Sequence, residues 1–191
     1  MPDRPLNLVI IIGSTREGRF GDTVGRWFAG EAARHEDFSI ELIDLAEIKL
    51  PPTHRAGPTP ETAAFCARLA AADAFVIVTP EYNHSYPASL KHAIDQGYVE
   101  WMAKPVAFVS YGGTTGGVRA IEHLRNVFAE LHAATIRDYL CFPTARRQFN
   151  GEGQPVDPDG PRLAARTMLD RLSWWADALR NAREAHPYVK R

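Results

Sequence analysis

Leu6-Asn7-Leu8-Val9-Ile10-Ile11-Ile12 runs directly into Gly13-Ser14-Thr15-Arg16-Glu17-Gly18-Arg19-Phe20-Gly21-Asp22-Thr23. The first part is apolar and nearly continuous, the pattern of a strand covered on both faces and hence of an interior strand in a parallel sheet. The second part is rich in glycine, hydroxyls and arginine. It is followed by Val24, Trp27, Phe28 and Ala32 at helical spacing. The stretch therefore reads as strand, loop and helix start, the opening of a βα unit.

The same alternation continues along the chain. Phe38–Leu42, Ala74–Thr79, Pro105–Tyr111 and a weaker Ala134–Phe142 read as four further strands, with Ala74–Thr79 stopped by Pro80. Helices are expected over Thr23–His35, Pro60–Ala72, Pro87–Gly97, Val118–His132 and Pro161–Ala185, with Thr23 a possible cap for the first. Glu47–Pro60 and Phe149–Gly160 read as loops. Five such units predict an α/β fold: a doubly wound, five-stranded parallel sheet in the flavodoxin-like order 2-1-3-4-5, helices on both faces. At about 150 residues per domain, the 191 residues are expected to form one domain with a short tail after the last helix.

Composition narrows the function classes. Lysine plus arginine total 22 against 23 acidic residues, a net charge of -1. This argues against a generally basic nucleic-acid binder and against a disordered acidic chain. The two cysteines, Cys66 and Cys141, are far apart and make neither a CxxC nor a metal-ligand spacing, so two thiols in a reducing compartment are expected. No run approaches the ~20 apolar residues of a membrane span, and the apolar run at 6–12 lacks a basic leader. A cytoplasmic protein without a membrane, metal or nucleic-acid partner is the expectation.

In this order of strands a ligand sits beyond the carboxyl ends, beside the switch between strands 1 and 3. That directs attention to three loops. The first, 13–23, is neither GxGxxG nor a P-loop, yet it puts hydroxyls, two arginines and a helix N-terminus together, which suits a terminal phosphate. The second, Thr79-Pro80-Glu81-Tyr82-Asn83-His84-Ser85-Tyr86-Pro87, is braced by prolines and presents backbone N–H groups and an aromatic, Tyr82 or Tyr86, to a planar heterocycle. His84 has no carboxylate at a triad-like spacing and is read as a structural hydrogen-bonder. The third, Ser110-Tyr111-Gly112-Gly113-Thr114-Thr115-Gly116-Gly117, lets a ligand approach the backbone closely. Lys91 and Asp95 are spaced i,i+4 as a solvated pair or an oligomer contact. Trp101 is expected at an interface or pocket rim, and one of Trp174 and Trp175 in the core.

GSTREGR at 13–19, TPEYNHSYPASLKHAID at 79–95 and SYGGTTGG at 110–117 resemble the NAD(P)H-dependent FMN reductase family over roughly residues 6–140. This flavodoxin-like group includes chromate, quinone and azo-dye reductases. The resemblance implies non-covalent FMN, with Ser14, Arg16, Arg19, Phe20 and Gly21 around its phosphate. Pro80, Glu81, Tyr82 and Asn83 would frame the isoalloxazine edge, and Ser110, Tyr111, Gly112 and Gly113 would flank the ring and ribityl. It further implies hydride transfer from NADPH or NADH through flavin N5 to a small acceptor: a quinone, free flavin, metal oxyanion or azo compound. The flavin carries the chemistry and no side chain need act as acid or base. A homodimer or homotetramer is implied as well. Two alternatives stay open: a flavodoxin-type electron carrier, and a non-catalytic flavin- or nucleotide-binding module.

Overall fold

A computed structural model describes residues 2, 4–53 and 57–189. Its five strands, β1 (Leu6–Ile12), β2 (Phe38–Asp44), β3 (Ala74–Pro80), β4 (Pro105–Tyr111) and β5 (Ala134–Phe142), pair in parallel in the order β2-β1-β3-β4-β5. The expected sheet is thus the observed one. Helices α1 (Gly21–Ala32), α2 (Pro60–Ala71), α3 (Ala88–Ile94), α4 (Val118–Glu130) and α5 (Asp159–Ala185) cover it.

Alternation of side chains along each strand divides the core in two. Leu8, Ile10, Val76, Val78, Ala107 and Val109 face α1 and α5. Val9, Ile11, Phe75, Ile77, Val106 and Phe108 face the other layer, where α2, α3 and α4 supply Phe65, Leu90, Ile94, Ile121 and Phe128. Every residue of β3 and β4 is buried, which is why those strands read as unbroken apolar runs.

Element edges differ from the sequence reading in instructive ways. Helix α1 begins at Gly21 rather than Thr23, with Phe20 at the cap and no side-chain capping bond. Pro87 is the cap residue of α3 rather than its first helical position. Strand β2 runs on to Asp44 because Ile43 and Asp44 continue the pairing with Ile11 and Ile12. Within the expected loop 47–60, residues 54–56 lie outside the described residues. A short 3-10 turn, Ala145–Arg147, follows β5 where no element was expected.

The tryptophans need correcting. Trp101 is core, not rim: it is fully buried, its ring lies 4.5 Å from Phe75 and 5.3 Å from Phe128, and Nε1 donates to the Ile94 carbonyl at 3.1 Å. Trp174 and Trp175 are both exposed, because the inward stripe of α5 is Ala165, Met168, Leu169, Leu172 and Ala176. Lys91 and Asp95 do form an exposed pair, at 2.6 Å. The two cysteines are free and partly buried. Among the described residues no helix is long and apolar enough to cross a membrane.

Trp101→Ala is expected to lower unfolding free energy by about 3–5 kcal/mol, the cost of a large buried cavity. Trp174→Ala, at a side chain 66% exposed, is expected to change it by less than about 0.5 kcal/mol. Urea melts of both variants check the contrast.

Candidate functional site

The carboxyl edge of the sheet opens on a cavity of about 510 Å³, within the range of small-ligand pockets. Its wall comes from four loops: Arg16–Phe20 after β1, Pro80–Tyr82 after β3, Tyr111–Gly113 around the end of β4, and Thr144–Arg147 after β5. An adjoining opening of about 660 Å³ shares Arg16, Glu81 and Tyr82 and adds Thr15, Asn83 and Pro87–Ser89. Of the expected site positions, Arg16, Arg19, Phe20, Pro80, Glu81, Tyr82, Tyr111, Gly112 and Gly113 line the first cavity, and Asn83 the second. Ser14, Gly21 and Ser110 are buried behind the wall.

The first loop is held from within. Ser14 Oγ lies 2.8 Å from Tyr82 Oη, joining the first loop to the second. Arg19 Nη1 donates to the Ser14 carbonyl at 2.7 Å, and both Arg19 terminal nitrogens donate to the Asp44 carboxylate at the end of β2. Asp44 also accepts the Ala46 N–H at 3.0 Å. Burial alone would push the Asp44 carboxyl up, but the Arg19 and Ala46 hydrogen bonds outweigh it and hold the group below its ordinary value. Arg19 is raised in turn, chiefly by its bonds to Asp44. So Arg19 stands on the cavity wall with its charge already matched. Among the described residues, the Arg16 guanidinium has no partner.

The start of α1 is open. Its first backbone bond is Val24 N–H to the Phe20 carbonyl, at 3.3 Å. The N–H groups of Phe20, Gly21, Asp22 and Thr23 have no acceptor among the described residues, and they carry the positive end of the helix dipole. Gly21 is required by crowding: a Cβ there would stand 2.5 Å from Tyr111 Oη and 3.2 Å from Ile12 Cγ2. The Tyr111 hydroxyl is buried and meets no hydrogen-bond partner among the described residues. Burial first, and Tyr82 second, push its pKa well above the ordinary phenol value, against a smaller lowering contribution from nearby Ser14, so it keeps its proton and remains a hydrogen-bond donor.

The second loop turns tightly at Asn83 and His84, both at positive φ (48° and 74°), while Tyr82 and Ser85 exchange backbone bonds of 2.8 and 3.0 Å. This is a type I′ hairpin turn, tolerated by Asn and His better than by other side chains. Tyr82, not Tyr86, reaches the cavity; Tyr86 is half-buried against the α3 side of the core. Glu81 is pinned by Arg119 at 2.7 Å and Thr115 at 3.1 Å, both near the start of α4. Burial works against its ionisation, and those two donors overcome it, keeping the carboxyl below its usual value.

The third loop folds back on itself through Ser110 Oγ, which donates to the Gly116 carbonyl at 2.7 Å. Gly117, at φ 91°, lies so close that a Cβ would stand 2.8 Å from Ser110 Cβ. The fourth wall was not anticipated from sequence. Thr144 N–H and Ala145 N–H donate to the Gly113 and Gly112 carbonyls at 2.7 and 3.2 Å, which seats the turn after β5 beside the third loop. Arg146 then lies over the Phe20 ring, 5.1 Å from its centroid, and donates from Nη2 to the Gly18 carbonyl at 2.9 Å. Its one trace in the sequence is the basic pair Arg146-Arg147 shortly after β5, which does not itself say what the turn packs against.

Fold and site together define a doubly wound α/β protein with an anion-accepting helix start beside a partly aromatic cleft. The chain matches the model of the NADPH-dependent FMN reductase family over residues 6–147. It is 38% identical over 147 residues to an NAD(P)H-dependent FMN reductase of Schizosaccharomyces pombe, covering 71% of this chain and 73% of that one. It is 31% identical over 180 residues to a 2-hydroxy-1,4-benzoquinone reductase of Burkholderia, covering 89% and 96%. Among solved structures it resembles FerB, a flavoenzyme NAD(P)H:(acceptor) oxidoreductase of Paracoccus denitrificans. That match has a TM-score of 0.67 at 22% identity and covers 91% of this chain and 98% of the other. The chain belongs to the NADPH-dependent FMN reductase family. It is an FMN-dependent oxidoreductase with a reduced nicotinamide as co-substrate. The residues present fit that cofactor: four partnerless amides and an orphaned buried hydroxyl suit a phosphate. Gly113, beside which nothing would crowd a Cβ, leaves backbone open to a flat ring.

The Arg19–Asp44 pair sets a pH dependence. Asp44 is lowered in the folded state, so its contribution is present above the unfolded value near 3.9 and is lost as pH falls through the lower folded value. Asp44→Asn leaves the mostly buried Arg19 charge unmatched and is expected to cost about 3 kcal/mol at pH 7. Its stability should also fall less than the wild type's between pH 6 and pH 3. Thermal or urea melts across that range measure both effects.

Proposed function

We propose that this chain, as one FMN-binding domain, passes reducing equivalents from NADPH or NADH to a small acceptor at the carboxyl edge of its sheet. The observation that carries the reading is the row of four partnerless N–H groups at the start of α1, next to the buried hydroxyl of Tyr111. In this reading the loop Ser14, Arg16, Arg19, Phe20 and Gly21 receives the FMN phosphate. Arg16 supplies the unmatched charge, Arg19 shapes the loop through Asp44 and Ser14, and Gly21 leaves room for Tyr111. Pro80, Glu81, Tyr82 and Asn83 edge the ring, and Tyr111, Gly112 and Gly113 flank it and the ribityl, with Ser110 bracing the third loop from behind the wall. FMN, when bound, supplies the hydride-accepting and hydride-donating chemistry.

The chain's own part is placement and electrostatics. Glu81 has both oxygens taken by Arg119 and Thr115, which supports a role in holding the second loop rather than in proton transfer. Tyr82, bonded to Ser14, is fixed in orientation and presents a rigid aromatic wall. Donors on the second and third loops would favour added negative charge on the ring. A quinone is the acceptor class that the Burkholderia relative's name supports; free flavin, metal oxyanions and azo compounds belong to the same reading. The same holds for a homodimer or homotetramer in the cytoplasm, for which Tyr98 and Val99, 54% and 59% exposed just beyond α3, are the supporting feature.

Stopped-flow mixing of the FMN-loaded protein with NADPH or NADH, without acceptor, is expected to bleach the visible flavin band. Re-oxidation should then follow on adding a quinone. Absence of bleaching with both donors would sink the reading. Arg16→Ala is expected to weaken FMN binding about tenfold or more, the loss of a charge-assisted contact, and an unchanged affinity rejects Arg16 as a phosphate ligand.

A further inference from the structure

We propose that Arg146, from the turn after β5, is a second cation for the terminal phosphate of FMN, acting with Arg16 and the α1 amides. The inference rests on assigning the cavity to FMN. Three observations place Arg146 there. The obvious second cation of the first loop, Arg19, is spent: its terminal nitrogens are on Asp44 and the Ser14 carbonyl. Arg146, by contrast, is fastened to the first loop at both ends of the segment that matters. One nitrogen donates to the Gly18 carbonyl at 2.9 Å and the guanidinium lies over the Phe20 ring, immediately before the partnerless amides of Phe20–Thr23. A guanidinium has five N–H donors in a fixed fork, and one is used by Gly18. The stacking and that single bond fix its plane while leaving donors for an anion.

The third observation is independent of both arginine and helix. Among the described residues Tyr111 Oη is buried without a hydrogen-bond partner, and it lies beside Gly21, 2.5 Å from where a Cβ there would stand. An acceptor seated at the start of α1 would meet a hydroxyl donor from β4 in addition to the amides. Helix start, Arg16, Arg146 and Tyr111 thus bring donors from β1, β4 and β5 onto one small volume. A doubly charged terminal phosphate uses such a convergence fully, whereas the uncharged end of riboflavin does not. The role is accordingly one of discrimination: Arg146 makes the site select FMN over riboflavin.

The test is fluorescence titration of the full chain with FMN and, separately, with riboflavin, for the wild type, Arg146→Ala and Arg146→Lys. The expected result is an FMN Kd raised about ten- to hundredfold in Arg146→Ala, with the riboflavin Kd unchanged and partial recovery in Arg146→Lys. Equal losses for both flavins would make Arg146 a structural brace and overturn the proposal. So would an FMN Kd within about twofold of wild type, including the case in which only the KM for NADPH rises, which would give Arg146 to the donor. A wild-type chain that takes up no FMN overturns the proposed function as well; a wild type that binds FMN while Arg146→Ala binds it equally overturns this inference alone.

Discussion

Strands β3 and β4 are buried along their whole length on both faces, and β1 from Leu8 onward. A parallel strand in that position has no solvent-facing side to carry chemistry. Unpaired charge within those faces would cost several kcal/mol, so polar function is driven to the strand ends. The ladder then decides which loops meet there. Ile12 pairs with both Asp44 and Val78, and Pro80 with Tyr111. The hydrogen bonding runs past the strands: Gly13 N–H reaches the Val78 carbonyl, Glu81 N–H that of Tyr111, and Gly112 N–H that of Phe142. Each loop therefore leaves the sheet in register with its neighbour.

Beneath the cavity this rigidity is continued by aromatic packing. Phe20 meets Phe149 edge-on at 5.6 Å and Tyr111 at 6.3 Å, while Trp27 and Phe149 close on Phe142 at 5.4 and 5.0 Å. The first loop is thus seated on the same cluster that anchors the segment after β5. That arrangement explains why Gly21 has no room for a side chain, and why Arg146 finds both a ring and a carbonyl of the first loop within reach. Pre-organisation of this kind lowers the ordering cost of binding.

Much of this was legible in the sequence because burial on both faces leaves an unmistakable apolar run, as in Leu8–Ile12 or Ala74–Val78, and because the strand order fixes where a ligand lies. The three loops expected to meet do meet. Trp101 escaped because it lies in no apolar run, between Glu100 and Met102 in an irregular segment; Phe75 of β3, Phe128 of α4 and the Ile94 carbonyl of α3 enclose it. Trp174 and Trp175 were misjudged because a helix stripe is set by several positions at once, and the stripe through Leu172 and Ala176 passes them by. The match between Arg19 and Asp44 was not legible, since it joins residues 25 apart through the pairing of β1 with β2. The fourth wall was missed for a related reason: the switch-point rule concerns strands 1 and 3, and nothing local in Thr144–Arg147 announces a return to the first loop.

The charge distribution then takes a meaning that the total conceals. A net charge of -1 is close to neutral, and at the cavity two pairs of charges cancel locally, Arg19 against Asp44 and Glu81 against Arg119. What remains on the wall is Arg16, Arg146 and Arg147 against Glu17, joined by the positive end of α1. A cleft with apolar walls concentrates such an excess, so the site favours anionic ligands although the protein as a whole does not. The same field draws in the phosphates of a nicotinamide donor and opposes a cationic acceptor. It also weakens with salt over a Debye length of about 8 Å under physiological conditions, so the contribution of the exposed arginines falls with ionic strength while that of the buried Arg19–Asp44 clasp persists.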